Sequence, residues 1–301
     1  MNTFPKKIQE LLSAREKLRS KKRYGEADTV RAKLITLGYQ VTDTQEGIQE
    51  IVLAKEHVSS TASFLVLFGS GETAPSAVRI HRYVFEHFKK KKVSIVILST
   101  PAGFQPNVKK VCEEIAQFFK KHLANYHPQV KIIYANTRSE VNNEALLSPL
   151  EKADYIFAGP GSPTYAARHL QNSLLVKKLE ERIRSGGSLA LASAAAMAFS
   201  RYVLPVYEIS KAGFPLYWEQ GLNFYAKVFQ EMTVIPHYNN TEGGIKLDTS
   251  RAFMGKKRFE LLRQKLSKTE TILGIDEHTA AVIDLRTHEM RPMGKGKLHR
   301  L

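Results

Sequence analysis

The rhythm of apolar positions along the chain changes near residue 63. Before it, Ile8, Leu11, Leu12 and Leu18 recur at helical spacing among charged residues and predict one helix behind Pro5, a residue suited to a first helical turn. Ala27, Val30 and Leu34 make the stripe of a second helix over residues 26–37, with Gly38 as its C-cap. Residues 39–47 read as a short extended piece and a turn. From residue 63 onward, short β-branched and aromatic runs alternate with amphipathic stretches. Strands are predicted at 64–68, 93–99, 130–134, 155–158 and 188–192, with helices at 77–88, 108–122, 145–150 and 174–184 between them. Further strands fall at 232–235, 272–275 and 280–285, the last in an edge hairpin, and a helix at 250–266. Such alternation makes βαβ units, hence an α/β fold: a doubly wound, mostly parallel sheet preceded by a small helical hairpin. The domain reading is residues 1–52 for the hairpin, 53–62 for a linker of small and polar residues, and 63–301 for the sheet domain.

Composition removes several classes. Hydrophobic residues make up 43% of the chain, enough for a sizeable core. The single cysteine, Cys112, cannot form an internal disulfide. The longest apolar candidate, residues 189–199, falls short of the roughly 18 residues that span a bilayer. The N-terminus lacks the apolar core of a secretory signal, so a cytoplasmic location without membrane attachment is expected. The formal net charge of +16 first suggests nucleic acid. Residues 1–59 hold only +3 of it and residues 60–301 hold +13, so the excess reads as surface or as a field for an acidic substrate.

Chemistry in an open α/β sheet gathers at the carboxyl ends of strands, and three such ends are unusual here. Leu67-Phe-Gly-Ser-Gly-Glu72 is a glycine-rich turn whose backbone N–H groups can face an anion, or simply join a strand to a helix. Ser188-Leu-Ala-Leu-Ala-Ser-Ala-Ala-Ala-Met197 runs an apolar strand into Ser193 and then into small residues, the shape of a nucleophile elbow or of a helix N-cap. The usual elbow glycines are replaced by Leu191 and Ala195. Met232-Thr-Val-Ile-Pro-His237 places a histidine just past a strand, suited to act as a base. Glu208, the pair Asp276-Glu277, and Glu72 are candidates for the acid that would hold its tautomer, and spacing alone does not choose among them. There is no cysteine pair, no His-Glu-x-x-His helix and no Gly-x-Gly-x-x-Gly turn, so neither metal nor cofactor is expected.

Taken in order, Phe68-Gly-Ser-Gly-Glu, Ile97-Leu-Ser-Thr-Pro-Ala, Phe157-Ala-Gly-Pro-Gly-Ser-Pro-Thr-Tyr, Ser193-Ala-Ala-Ala-Met-Ala-Phe-Ser, Ile235-Pro-His-Tyr and Gly274-Ile-Asp-Glu-His-Thr-Ala resemble the cyanophycinase/aspartyl dipeptidase family of serine peptidases. The likeness spans residues 63–301 and implies a fold like that of class I glutamine amidotransferases. It puts the nucleophile on Ser193, the base on His237 and the acid on Glu208, 15 residues past the serine. It implies oxyanion donors at the N–H groups of Ala194 and Gly71. It implies substrate-binding positions at Gly69, Ser70, Glu72, Gly161, Ser162 and Thr164. The substrates implied are acidic peptides such as aspartyl dipeptides or an Asp-Arg polymer. Amidotransfer from glutamine uses an elbow cysteine in this fold, and the position here is Ser193.

The first fifty residues carry a separate resemblance. Leu11-Leu-x-x-Arg15, Tyr24-Gly-Glu-Ala-Asp28, Arg31-Ala-Lys-Leu34, Leu37-Gly-Tyr-Gln-Val41 and Asp43-Thr-Gln-Glu-Gly47 look like the C-terminal helical segment of cysteinyl-tRNA synthetases. The synthetase's own catalytic signatures are absent. Two readings follow. One is a serine hydrolase cleaving a peptide or amide. The other is a weakened or inactive amidotransferase-like scaffold whose hairpin binds tRNA or a protein, or serves as a contact in a homo-oligomer.

Overall fold

The computed structural model describes residues 6–36, 39–43, 49–53 and 63–301. It divides into two units, residues 1–58 and 59–301. In the first, α1 (Lys6–Ser20) and α2 (Tyr24–Thr36) form the expected helical hairpin, and β1 (Tyr39–Asp43) pairs antiparallel with β2 (Gln49–Leu53). The second strand was not evident in the apolar pattern. Ile8, Leu34 and Val41 make a small core with Leu11, Leu12, Val30 and Tyr39 against it. Gly38 and residues 54–62 of the expected linker lie outside the described residues.

In the second unit the chain runs β3 (Phe64–Phe68), α3 (Val78–His87), β4 (Ser94–Leu98), α4 (Val108–His122), β5 (Gln129–Ile133), α5 (Glu144–Leu147), β6 (Tyr155–Ala158), α6 (Pro163–Leu170), α7 (Leu174–Arg184), β7 (Ser188–Ala192) and α8 (Ala194–Ala198). There follow β8 (Tyr202–Val203), α9 (Val206–Ser210), β9 (Glu219–Gln220), α10 (Tyr225–Val228), β10 (Thr233–Ile235), α11 (Gly255–Arg263), β11 (Ile272–Ile275), β12 (Thr279–Asp284), β13 (Glu289–Gly294) and β14 (Leu298–Arg300). Seven strands form one sheet in the order β13-β12-β3-β7-β6-β4-β5. The five from β3 to β5 are parallel, and the β12–β13 hairpin adds an antiparallel edge. A smaller sheet, β10-β11-β14, stands apart.

The runs of β3, β4, β6 and β7 are almost wholly apolar because both faces are covered, while the edge strand β5 exposes Gln129 and Lys131. Leu65, Leu67, Val96, Leu98, Ile156, Leu189 and Leu191 belong to one cluster, while Phe64, Val66, Phe68, Ile95, Ile97, Phe157 and Ala190 belong to another. Successive strand residues point to opposite faces, so each strand feeds both cores. This explains Leu191 in the place of an elbow glycine. It is a fully buried core residue, and such burial is worth roughly 1.5–3 kcal/mol.

Two predicted helices differ. Residues 145–150 split into the short α5 and a 3₁₀ segment (Ser148–Lys152) around Pro149. The helix expected at 250–266 begins only at Gly255. Arg251, Ala252 and Phe253 precede it with φ of 56°, 53° and 66°, a left-handed turn that an α-helix cannot contain. Helix α6 was missed, its start hidden in a Gly-Pro-Gly-Ser-Pro loop. Among the described residues no helix is long and apolar enough to cross a membrane.

Candidate active site

Parallel pairing aligns the strand ends that carry the site. Phe68 of β3 is registered with Ala192 of β7, so Ser193 and the 69–71 turn emerge side by side. In the small sheet Ile235 of β10 is registered with Gly274 of β11, so the two residues beyond β10 and the two beyond β11 also meet.

Ser193 has φ 51° and ψ −113°, a conformation avoided by residues with a Cβ. Its N–H donates to Phe68 O (3.3 Å), and α8 starts at the next residue. Ser193 stands at the N-cap position, yet its hydroxyl caps nothing. It donates instead to His237 Nε2 at 2.9 Å. The elbow forms with Leu191 and Ala195 in the places of its glycines, both fully buried in the core. The Ala194 N–H, first in α8, has no partner within the helix.

His237 follows β10 with φ 50° and donates its own N–H to Gly69 O (3.1 Å). Its Nδ1 lies 3.0 Å from Glu277 Oε1. The same oxygen accepts from Asn240 Nδ2 at 2.8 Å, and the Glu277 N–H donates to Asn239 Oδ1 at 2.7 Å. The hydrogen bond from His237, aided by the one from Asn240, holds the Glu277 carboxyl below the ordinary range against the opposing effect of burial. An ionised carboxylate only accepts, so Nδ1 bears the proton and the Nε2 lone pair faces the serine hydroxyl.

Glu208 is a correction. Its Oε1 accepts from Thr164 Oγ1 at 2.6 Å, and no hydrogen bond joins it to His237; Glu277 occupies that place. The resemblance implied an acid 15 residues past the serine, whereas the carboxylate bonded to His237 follows β11, 40 residues beyond the histidine. Asp276, the neighbour of Glu277, turns away. Its Oδ1 is 2.9 Å from His299 Nε2, and its Oδ2 accepts the Lys297 N–H at 2.9 Å.

The remaining candidates divide. Gly69 gives its N–H to Thr279 O (2.8 Å), so that donor is occupied, and a Cβ there would lie 2.2 Å from Asp276 O. Gly71 has φ 68°, and a Cβ would lie 2.4 Å from His278 Nδ1. Ser70 Oγ accepts the His278 N–H at 3.1 Å. Ser162 caps α6 through the Tyr165 N–H (3.2 Å) and bonds Thr164 (3.0 Å), so both are held in an internal network with Glu208. The Ser162 N–H fixes Gly161 against Pro101 O (2.9 Å). Glu72 is buried, and burial raises its carboxyl pKa, opposed by its own N–H and by the nearby His237 and His278. The Glu72 carbonyl accepts from His81 Nε2 (2.8 Å), whose Nδ1 meets the Tyr155 hydroxyl (2.8 Å). Burial pushes His81 down to about 4, so it is a neutral strut of the turn.

Asn239, Asn240 and Phe253 were missed. Asn239 and Asn240 directly follow His237-Tyr238, a run of side chains able to reach back to a strand end. Phe253 lies against the His237 ring (centroids 5.5 Å apart) and carried no signal at all, since residue 253 reads as helix. Among the described residues no cluster of three His, Cys, Asp or Glu could hold a metal. Cys112 is buried on α4, and burial pushes its thiol up to about 11, far from a nucleophile's range.

The family model for peptidase family S51 matches residues 65–290, and that for the cysteinyl-tRNA ligase anticodon binding domain matches residues 1–50. Among curated proteins none matches by sequence. Solved structures share the fold, two of them named as peptidases. A peptidase from an acI-B1 Actinobacterium superposes with a TM-score of 0.58 at 22% identity, covering 80% of this chain and 97% of that one. A putative peptidase E protein from Listeria monocytogenes EGD-e gives 0.51 at 18% identity, covering 78% and 100%.

Proposed function

The chain belongs to peptidase family S51, and on that footing we propose that it is a serine peptidase working through a Ser193–His237–Glu277 relay. The observation that carries this reading is the unbroken line of hydrogen bonds from Ser193 Oγ through His237 to Glu277, at 2.9 and 3.0 Å, on a strained strand-to-helix turn.

His237 Nε2 takes the hydroxyl proton as Ser193 Oγ attacks the peptide carbonyl carbon. Glu277 stabilises the imidazolium that forms. The Ala194 N–H, at the start of α8, donates to the developing oxyanion, with Gly71 as the second donor. His237 then passes the proton to the leaving amine, and an acyl ester remains on Ser193. Water, deprotonated by His237, hydrolyses that ester and frees the serine. The substrate is an acidic peptide, a choice supported by the +13 charge of residues 60–301 and by the motif resemblance to aspartyl dipeptidases. The test is hydrolysis of aspartyl dipeptides beside lysyl and alanyl counterparts. Wild-type protein is expected to favour the aspartyl series and Ser193→Ala to cleave none. Equal rates across the series remove the acidic preference, and cleavage by Ser193→Ala removes the nucleophile.

A second activity is supported by the match of residues 1–50 to an anticodon binding domain. In that reading this unit binds tRNA. Filter retention of labelled tRNA at low salt, lost on deleting residues 1–58, is the expected result. Retention unchanged by the deletion contradicts it.

A further inference from the structure

Tyr238, next in sequence to His237, lines a pocket of about 670 Å³. Tyr238, Arg251, Lys256, Lys257, Phe259 and Leu261 contribute to its lining. Its volume falls in the range of small-molecule sites. Arg263 and Glu260 also reach it, but they pair with each other at 3.0 Å and cancel. Arg251, Lys256 and Lys257 form no ion pair with a described carboxylate; the Arg251 guanidinium sits 4.4 Å over the Tyr238 ring. Three cations thus share one concavity with the rings of Tyr238 and Phe259 and with Leu261, which is 52% exposed.

The lysines break a local rule. They occupy the first turn of α11, where the helix end is itself positive and the acidic group present is Asp248, from the segment before the helix. Asp248 already accepts the Lys256 N–H (2.8 Å), so the backbone needs no further cap. The same carboxylate attracts the Lys256 charge, while Lys257 and Arg251 have no such partner among the described residues.

The pocket is also joined to the relay. Arg251 donates its N–H to Tyr238 O (3.1 Å), Ala252 to His237 O (3.4 Å), and Phe253 packs on the His237 ring. All three are left-handed and none is glycine, a strained turn held by these contacts together with its own Phe253 N–H to Thr249 O bond (3.0 Å). A ligand that draws on Arg251 acts on one end of a strained segment whose other end rests on His237.

We propose that this pocket is a second ligand site, for an organic anion with a phosphate, sulfonate or carboxylate on an apolar or aromatic body, and that its occupancy is felt at His237 through residues 251–253. The cations take the charged group, and Phe259, Leu261 and Tyr238 take the body.

The test uses the full chain and 8-anilinonaphthalene-1-sulfonate as the probe, with uncharged N-phenyl-1-naphthylamine as its control. Wild type and Ser193→Ala are expected to bind the sulfonate alike, in preference to the amine. Lys256→Gln/Lys257→Gln is expected to weaken sulfonate binding by about tenfold or more, as loss of two charges requires, and Lys256→Arg/Lys257→Arg to retain it. Both positions are exposed, so folding is not at stake. Unchanged affinity in the glutamine pair, or equal binding of the uncharged amine, overturns the site. The link to His237 rests on the peptidase reading. A saturating sulfonate is expected to change the fluorophosphonate labelling rate of Ser193 by about threefold or more in wild type and not in the glutamine pair. Binding without that change overturns the link and leaves the site. If wild type does not label at all, the peptidase reading fails while the binding comparison still decides the pocket.

Discussion

Replacing Glu277 with glutamine separates the two carboxylates that compete for the role of relay acid. The substitution keeps size and an accepting oxygen for His237 Nδ1 but removes the negative charge. In the transition state His237 is an imidazolium whose positive centre lies about 4 Å from the carboxylate, given Nδ1 to Oε1 at 3.0 Å. The Glu277 side chain is about one-quarter exposed, so an effective dielectric near 20 applies. The lost attraction is then about 4 kcal/mol, or roughly a thousandfold in rate. The assay is the second-order rate of fluorophosphonate labelling at neutral pH for wild type, Glu277→Gln and Glu208→Gln. Glu277→Gln is expected to fall by about three orders of magnitude. Glu208, bonded to Thr164 in an internal network, is expected to leave the rate within about threefold when replaced. A fall confined to Glu208→Gln, with Glu277→Gln unchanged, refutes the reasoning from geometry.

Two further predictions concern stability. Ser193 sits in a backbone conformation that glycine adopts freely, so in urea unfolding Ser193→Gly should exceed Ser193→Ala by about 1 kcal/mol, strain relief outweighing glycine's entropy; an alanine variant at least as stable contradicts the elbow strain. His81 binds protons more readily unfolded (about 6.5) than folded (about 4), so its contribution is complete above pH 6.5 and is lost as pH falls towards 4. Between about pH 8 and pH 4.5 this loss is about 2.5 kcal/mol. Glu72, raised by burial, pulls the other way, so the quantity to read is the difference in pH slope between wild type and His81→Gln. Identical slopes contradict the buried neutral histidine.

The parallel sheet was legible because its inner strands are apolar on both faces, and runs such as Phe64–Phe68 and Ser188–Ala192 are short and alternate with amphipathic helices. Ser193 and His237 were legible as strand ends. The carboxylate that bonds His237 was legible only as one of several candidates, since sequence distance carries no information about which strand ends meet. The register of Ile235 with Gly274 decides it by placing Pro-His and Ile-Asp-Glu next to each other. Even then, choosing Glu277 over Asp276 needs β14, whose His299 and Lys297 engage Asp276. The left-handed turn at residues 251–253 was hidden for a different reason. Its residues have ordinary helical propensity, and the carbonyls of Tyr238 and His237 take the N–H groups of Arg251 and Ala252 while that of Phe253 goes to Thr249 O.

The central claim is that Ser193 is a nucleophile activated by His237. It is tested most directly by mass spectrometry of the intact protein and its peptides after treatment with a fluorophosphonate. One adduct on Ser193 in wild type, absent from Ser193→Ala and strongly slowed in His237→Ala, is the predicted result. An unmodified wild-type protein, or an adduct that persists in Ser193→Ala, contradicts it.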